Sequence, residues 1–215
     1  SMPKRRIWIA LFAVAIGMSG VSASRAVENM LLNGDFEEGD AMWLAAARAP
    51  AVMEWEIDLD EFISGDRSAR CEVENVGGGG VHDLTLDCQT PIQMDAGDTY
   101  TVDFWVKAEG DRTVTIDFIM NHDPWGRMWQ VESIPVTTEW AVQHHTWEAD
   151  VDDPLMIFLF SFSNASNLNP EAVMWIDNVR MYEGEFDEED LGLQPKAVEA
   201  RDRLAIRWAS LRSAS

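Results

Sequence analysis

Between Ser68 and Glu183 the chain alternates short runs of β-branched and aromatic residues with clusters of glycine, proline and aspartate. From Tyr100 to Lys107, apolar Tyr100, Val102, Phe104 and Val106 alternate with Thr101, Asp103, Trp105 and Lys107, the period-2 pattern of a strand with one buried face. Comparable runs are SARCEVENV (68–76), HDLTLDCQTPIQM (82–94), RTVTIDFIMN (112–121), MWQVESIPV (128–136), EWAVQHHTWEAD (139–150), LMIFLFSFSN (155–164) and AVMWIDNVRMYE (172–183). Turn residues at Gly77–Gly80, Asp95–Gly97, Glu109–Asp111, Asp123–Gly126, Asp152–Pro154 and Asn169–Pro170 separate them. Strands at this spacing without intervening helical repeats predict an all-β fold, an antiparallel β-sandwich rather than a parallel α/β sheet. The strand region is expected to begin near Trp55, with Trp43 and Trp55 bordering an early loop.

The two ends read differently. Residues 1–26 carry a basic stretch (Pro3 to Arg6), an apolar run (Ile7 to Val21) and small residues before Ala23 and Ala26, the layout of a signal peptide; Ser1 precedes the Met2 expected to start the chain. The apolar run is shorter than the roughly 20 residues that span a bilayer, so the expectation is export with no membrane span in the mature chain, the alternative being an uncleaved anchor or a lipid-surface tether. At the other end, residues 186–215 read as an acidic linker followed by an amphipathic basic tail. Pro195 stands at the first helical position, and Val198, Leu204 or Ala205, Trp208 and Leu211 share a face. This short C-terminal helical tail either packs on the acidic body or docks to a protein partner. The domain itself is expected over residues 27–185.

Charge narrows the partners. Sixteen Lys and Arg face 38 Asp and Glu, a net charge of −22, and loss of the leader would remove Lys4, Arg5 and Arg6 and no acid. Such a surface repels nucleic acid and anionic lipid, which bind through cationic neutralisation. Cys71 and Cys88 fall opposite each other in a hairpin centred between Gly79 and Gly80. In an exported protein two states are open for them, a cross-strand disulfide and two half-buried thiols.

The order of five motifs adds specificity: NGDFEEG (33–39), GDRSARCEV (65–73), MDAGDTYTVDFWVKAEG (94–110), TTEW (137–140) and WIDNVRMYEG (175–184). In that order they resemble carbohydrate-binding modules of the family 4, 9 and 22 type, over about residues 28–185. The resemblance implies a β-jelly roll with a structural calcium at its edge and a glycan groove on its concave sheet. It assigns side-chain oxygens of Glu37 and Asp177 to the calcium, carbonyls of Asp35 and Arg67, and a place nearby for Ser64, where some relatives carry an acid. The chemistry fits, since calcium takes six to eight hard oxygens and its charge relieves clustered carboxylates. The other reading of Glu37 and Asp177 is a solvated turn residue and a strand-end cap.

Sugar sites stack an aromatic ring on a pyranose and satisfy hydroxyls with short polar side chains. The richest stretch is NHDPWGRMWQ (121–130), which offers Trp125, Trp129, Asn121, Arg127 and Gln130. The resemblance places Trp125 at a stacking position, Gln130 at a polar groove position, and His82 where relatives offer a second aromatic. Trp105, Trp140, Trp147 and Trp175 sit beside apolar neighbours and read as core or half-core. The adjacent His144 and His145 point to opposite faces and cannot share a metal. No GxSxG elbow, HExxH or phosphate loop occurs. With 38 acids, a carboxylate pair at glycosidase spacing is expected by chance. The expected function is therefore an exported, non-catalytic carbohydrate-binding protein for a neutral β-glucan or xylan-like polysaccharide. Two alternatives stand beside it: an envelope sandwich without glycan binding, and a jelly-roll hydrolase or lyase.

Overall fold

The computed structural model describes residues 27–193; the expected leader and the basic helical tail lie outside the described residues. Ten strands form β1 (Trp43–Ala47), β2 (Val52–Asp58), β3 (Ser68–Asn75), β4 (Leu84–Met94), β5 (Thr99–Ala108), β6 (Arg112–Met120), β7 (Arg127–Val136), β8 (Ala141–Glu148), β9 (Asp153–Ser161) and β10 (Met174–Glu183). They build two five-stranded antiparallel sheets, β1-β4-β9-β6-β7 and β2-β3-β10-β5-β8. The fold is the all-β sandwich that the alternation predicts.

The eight strand-like runs of the sequence appear as β3 to β10. Two strands were not expected. β1 and β2 occupy the stretch read as an early loop, and they carry Trp43 and Trp55. Trp43 is buried against Phe36 and Phe160 and donates its indole N–H to the Asn33 carbonyl at 2.9 Å, so it belongs to the core and not to a groove wall. Trp55 packs partly buried against the same core. Runs such as WLAAA lack the β-branched residues that mark a strand, and pairing with β4 supplies the missing preference.

Between the sheets lies an aromatic chain. Phe104, Phe118, Phe158 and Phe160 are fully buried, with ring centroids 4.9–5.1 Å apart for Phe104–Phe160, Phe118–Phe158 and Phe158–Phe160. Each such side chain contributes about 1.5–3 kcal/mol through burial.

The cysteine hairpin does not form. β3 and β4 lie in different sheets, because the glycine run carries the chain across the sandwich rather than back along one sheet. Cys71 and Cys88 are both fully buried and both free.

The first part of the acidic linker is fastened to the sandwich. Phe186 stacks on His144 with centroids 3.8 Å apart, Asp190 pairs with Arg180 at 3.2 Å and accepts from the Val27 N–H, and the Leu191 carbonyl accepts from Asn178. Arg180 is itself buried in a pair with Asp103 at 2.7 Å, to which Tyr182 also donates. A buried ion pair of this kind needs its remaining N–H groups met, and the Asp190 carboxylate and carbonyl meet them.

Candidate functional site

Two places collect polar side chains that packing alone does not explain. The first joins the ends of the domain. Residues 29–34 lie along β10: Met30 N–H donates to the Met181 carbonyl, Val179 N–H to the Gly34 carbonyl, and the Asn29 side chain donates to the Val179 carbonyl and accepts from the Met181 N–H. Gly34 is needed there because a Cβ would sit 1.9 Å from the Val179 oxygen. The NGDFEEG turn is thereby laid beside Asp177, with Phe36 buried beneath it.

Glu37 Oε1 accepts from the Asp66 N–H at 2.7 Å, and a Cβ on Gly65 would fall 2.1 Å from the same oxygen. Gly65 also has φ +59°, so glycine meets both demands. Asp177 is buried; its Oδ2 accepts from Ile63 and Ser64 N–H groups at 3.0 and 2.9 Å. Its Oδ1 is buried with no hydrogen-bond partner. Burial, with a further push from the Glu37 charge, raises the Asp177 pKa to about 7 against the pull of the Ser64, Ile63 and Asn178 N–H groups. Sequence-distant Glu37, Ser64 and Asp177 are thus brought together, and Arg67 is the last residue of the Ser64 loop before β3. Asp35 caps the turn by accepting from Glu37 N–H at 3.4 Å. Among the described residues no three His, Cys, Asp or Glu side chains gather as a metal cluster, so an ion at this corner would need backbone oxygens as well.

The second place is the outer face of the β1-β4-β9-β6-β7 sheet. Residue pairs set a row across it: Leu44 beside Asp87, Asp87 beside Leu159, Leu159 beside Asp117, and Asp117 beside Gln130. Their neighbours Trp43, Cys88, Phe158, Phe118 and Trp129 point inward, so this row points out. Leu44 at its end is 54% exposed, whereas Leu159 and Asp117 in the middle are buried.

Asp117 is the hub of the row, and sequence reading missed it. His82 Nε2 lies 3.0 Å from Asp117 Oδ2, Arg127 Nε donates to both oxygens at 2.9 and 3.1 Å, and Gln130 approaches at 3.5 Å. Three predicted ligand residues therefore converge on one carboxylate that no motif flags. Asp87, two strands away, has a buried Oδ1 without a partner; burial pushes its carboxyl up, opposed by Thr85 and His82.

Trp129 is the correction. It stands on the opposite face from Gln130, stacked on Trp147 at 4.1 Å and 11° and packed on Phe118. A register shift explains the reversal: Phe118 pairs with Trp129 but Ile119 pairs with Arg127, leaving Met128 extra on β7. Arg127 and Gln130, three apart, thereby share the outer face, and Trp129 turns into the core. The slot that Trp129 lines with Trp147, Met94, Met128 and Met156 holds about 30 Å³, room for a water rather than a sugar ring.

Trp125 is 62% exposed in the turn ahead of Arg127, and Asn121 opens that turn with its N–H on the Leu155 carbonyl. Trp105, Trp140, Trp147 and Trp175 are half-buried; Trp140 and Trp175 donate their indole N–H groups to Glu61 and Asp58. His144 and His145 take opposite faces, His145 beside Trp129 and His144 on Phe186.

Comparison with known proteins agrees with this architecture. Residues 28–163 match the model of a carbohydrate binding domain family, CBM_4_9. Among solved structures, a CBM4 chain is 20% identical with TM-score 0.58, over 72% of this chain and 99% of its own. Arabinose-bound MgGH51 α-L-arabinofuranosidase is 14% identical with TM-score 0.56, over 75% of this chain, which spans 27% of that enzyme. The CBM22-1 xylan-binding domain of Paenibacillus barcinonensis Xyn10C is 11% identical with TM-score 0.52, over 77% of this chain and 100% of its own. At these identities the likeness is one of fold. No curated protein matches the chain.

Proposed function

The chain belongs to the carbohydrate binding domain family whose model spans its residues 28–163, and from that membership we propose that it binds a neutral β-glucan or xylan-like polysaccharide without catalysis. The observation that carries the reading is Trp125, a bare indole in the turn two residues ahead of Arg127 of the polar row. A ring that is 62% exposed on a fixed turn gains nothing for the fold, yet offers a flat apolar platform to a pyranose. Asp117 holds Arg127, His82 and Gln130 in place before any ligand arrives, which lowers the ordering cost of binding. The net charge of −22 works against sulfated and uronic-acid chains.

Calcium belongs to the proposal. Glu37 and Asp177 are the side chains that would hold it, with carbonyls of the 35–37 turn and the 64–67 loop completing the shell. The fit rests on Asp177 Oδ1, a buried carboxylate oxygen left without a partner beside a second acid. The ion would supply positive charge and a cross-link, not reaction chemistry. Export through the leader is the compartment this reading assumes.

The test is affinity electrophoresis in gels containing soluble β-glucans and xylans, with reducing-sugar release measured on the same polymers. Wild type should be retarded by at least one of them without release of sugar. Trp125→Ala should weaken binding by about 1 kcal/mol or more, the scale of one aromatic contact. Equal mobility of the two proteins would remove Trp125 from the site.

A further inference from the structure

The turn that presents Trp125 is tied to the sandwich by an imidazole set between two acceptors. His122 Nε2 lies 2.9 Å from Asp153 Oδ2, and His122 Nδ1 lies 2.8 Å from the Asp123 carbonyl oxygen. Carbonyl and carboxylate oxygens only accept. A neutral imidazole carries one N–H and can meet one of them, whereas the imidazolium meets both. The contacts therefore select the charged ring. Asp153 is a rigid anchor: it is 2% exposed, pairs with Met94 at the start of β9, and accepts from the Leu155 N–H through its other oxygen.

Trp125 needs such an anchor. Its φ of +59° is a left-handed backbone that is unfavourable for a non-glycine residue, and its exposed ring recovers little of that by packing. Backbone bonds hold the rest of the turn: Trp125 N–H to the His122 carbonyl, Met120 N–H to the Gly126 carbonyl, and Asn121 N–H to the Leu155 carbonyl.

We propose that His122 is a positioning residue for the Trp125 platform, holding the turn in its binding shape while protonated and releasing it when the proton leaves. The proposal rests on Trp125 as the ligand platform. The charged groups that face His122 are Asp153 of β9 and Asp123 of its own turn, both acids. The bond to the Asp123 carbonyl, then that to Asp153, raises its pKa above the ordinary value of 6.5. The sign follows: the lock is complete below that ordinary value and is lost as pH rises through the higher folded one. Glycan binding should therefore weaken on the alkaline side of neutrality.

The experiment uses the full chain labelled with ¹⁵N, with the Trp125 indole signal identified by its loss in Trp125→Phe. Between about pH 5 and about pH 9 that signal should move with one midpoint above about 6.5. In His122→Gln it should not titrate. In His122→Arg, which keeps a cation with several N–H donors, it should stay at the low-pH position throughout. On gels containing soluble β-glucan or xylan, wild type should bind at least about threefold more weakly at the alkaline end, and His122→Arg should bind equally at both. An indole signal indifferent to pH, or one that titrates equally in His122→Gln, overturns the proposal. An indole that titrates only when His122 is present, with no retardation by either polymer, supports the positioning role and sinks the glycan reading instead.

Discussion

Asp117 is a buried carboxylate on the outward face of a sheet, and it decides what three other side chains do. His82 comes from a loop, Arg127 from the start of β7 and Gln130 from its middle, yet all meet the same two oxygens. Arg127 and Gln130 were legible as polar residues near tryptophans, and His82 through the family resemblance; their common acceptor was not, since TVTIDFIMN reads as strand and nothing in it distinguishes Asp117 from a solvent-facing acid. Asp117→Ala should cost about 1–3 kcal/mol in urea unfolding, the usual penalty for a deleted buried acceptor. It should also weaken glycan binding by freeing Arg127. Asp117→Asn, which keeps one acceptor, should lose less in both measurements. Equal stability of Asp117→Ala and wild type would show that the three partners do not depend on it.

Alternation along β5 survived into the structure because that strand has one apolar side and a neighbour on both edges. It failed at β7, where a single extra residue turned Trp129 inward and kept Arg127 outward. A bulge cannot be read from one strand, since it is a property of the pairing. The same limit governs the cysteines. Equal spacing about the Gly79–Gly80 bond suggested a hairpin, but strand pairing is decided at the edges, where β3 bonds β2 and β10 while β4 bonds β1 and β9 in the other sheet. Burial pushes the Cys71 thiol up to about 12 and raises that of Cys88. Both thiols should thus resist iodoacetamide in the native protein and react once it is unfolded, with no change in melting temperature on adding reductant. An intact mass two hydrogens short would contradict this.

At the scale of the whole molecule, the N-terminal segment lies on the last strand, and Glu37 and Asp177 face a common point through that contact. If calcium joins them, an ion at about 100 times its Kd stabilises the fold by about 2.7 kcal/mol. A chelator should then lower the melting temperature without abolishing the fold. The pH dependence has a definite sign. Without calcium, Asp177 is raised from 3.8 to about 7, so its contribution is complete below 3.8 and is lost as pH rises through about 7. Calcium needs the carboxylate, so the gap between calcium-loaded and chelated melting temperatures should widen from about pH 5 to about pH 8. A gap that is absent at both ends would dismiss the ion.

Local sequence determined β3 to β10, their turns and the all-β class, because alternation and turn chemistry act over a few residues and need no partner, whereas β1 and β2 had to wait for their neighbours. It also determined which residues could meet a sugar or an ion, since side-chain type is written directly in the chain. Tertiary structure alone decided which of them do meet. A bulge chose Arg127 over Trp129, strand order buried the cysteines apart, and one acid on β6 collected residues from 82 to 130. Those outcomes depend on contacts between distant segments, whose energies no single stretch of sequence contains.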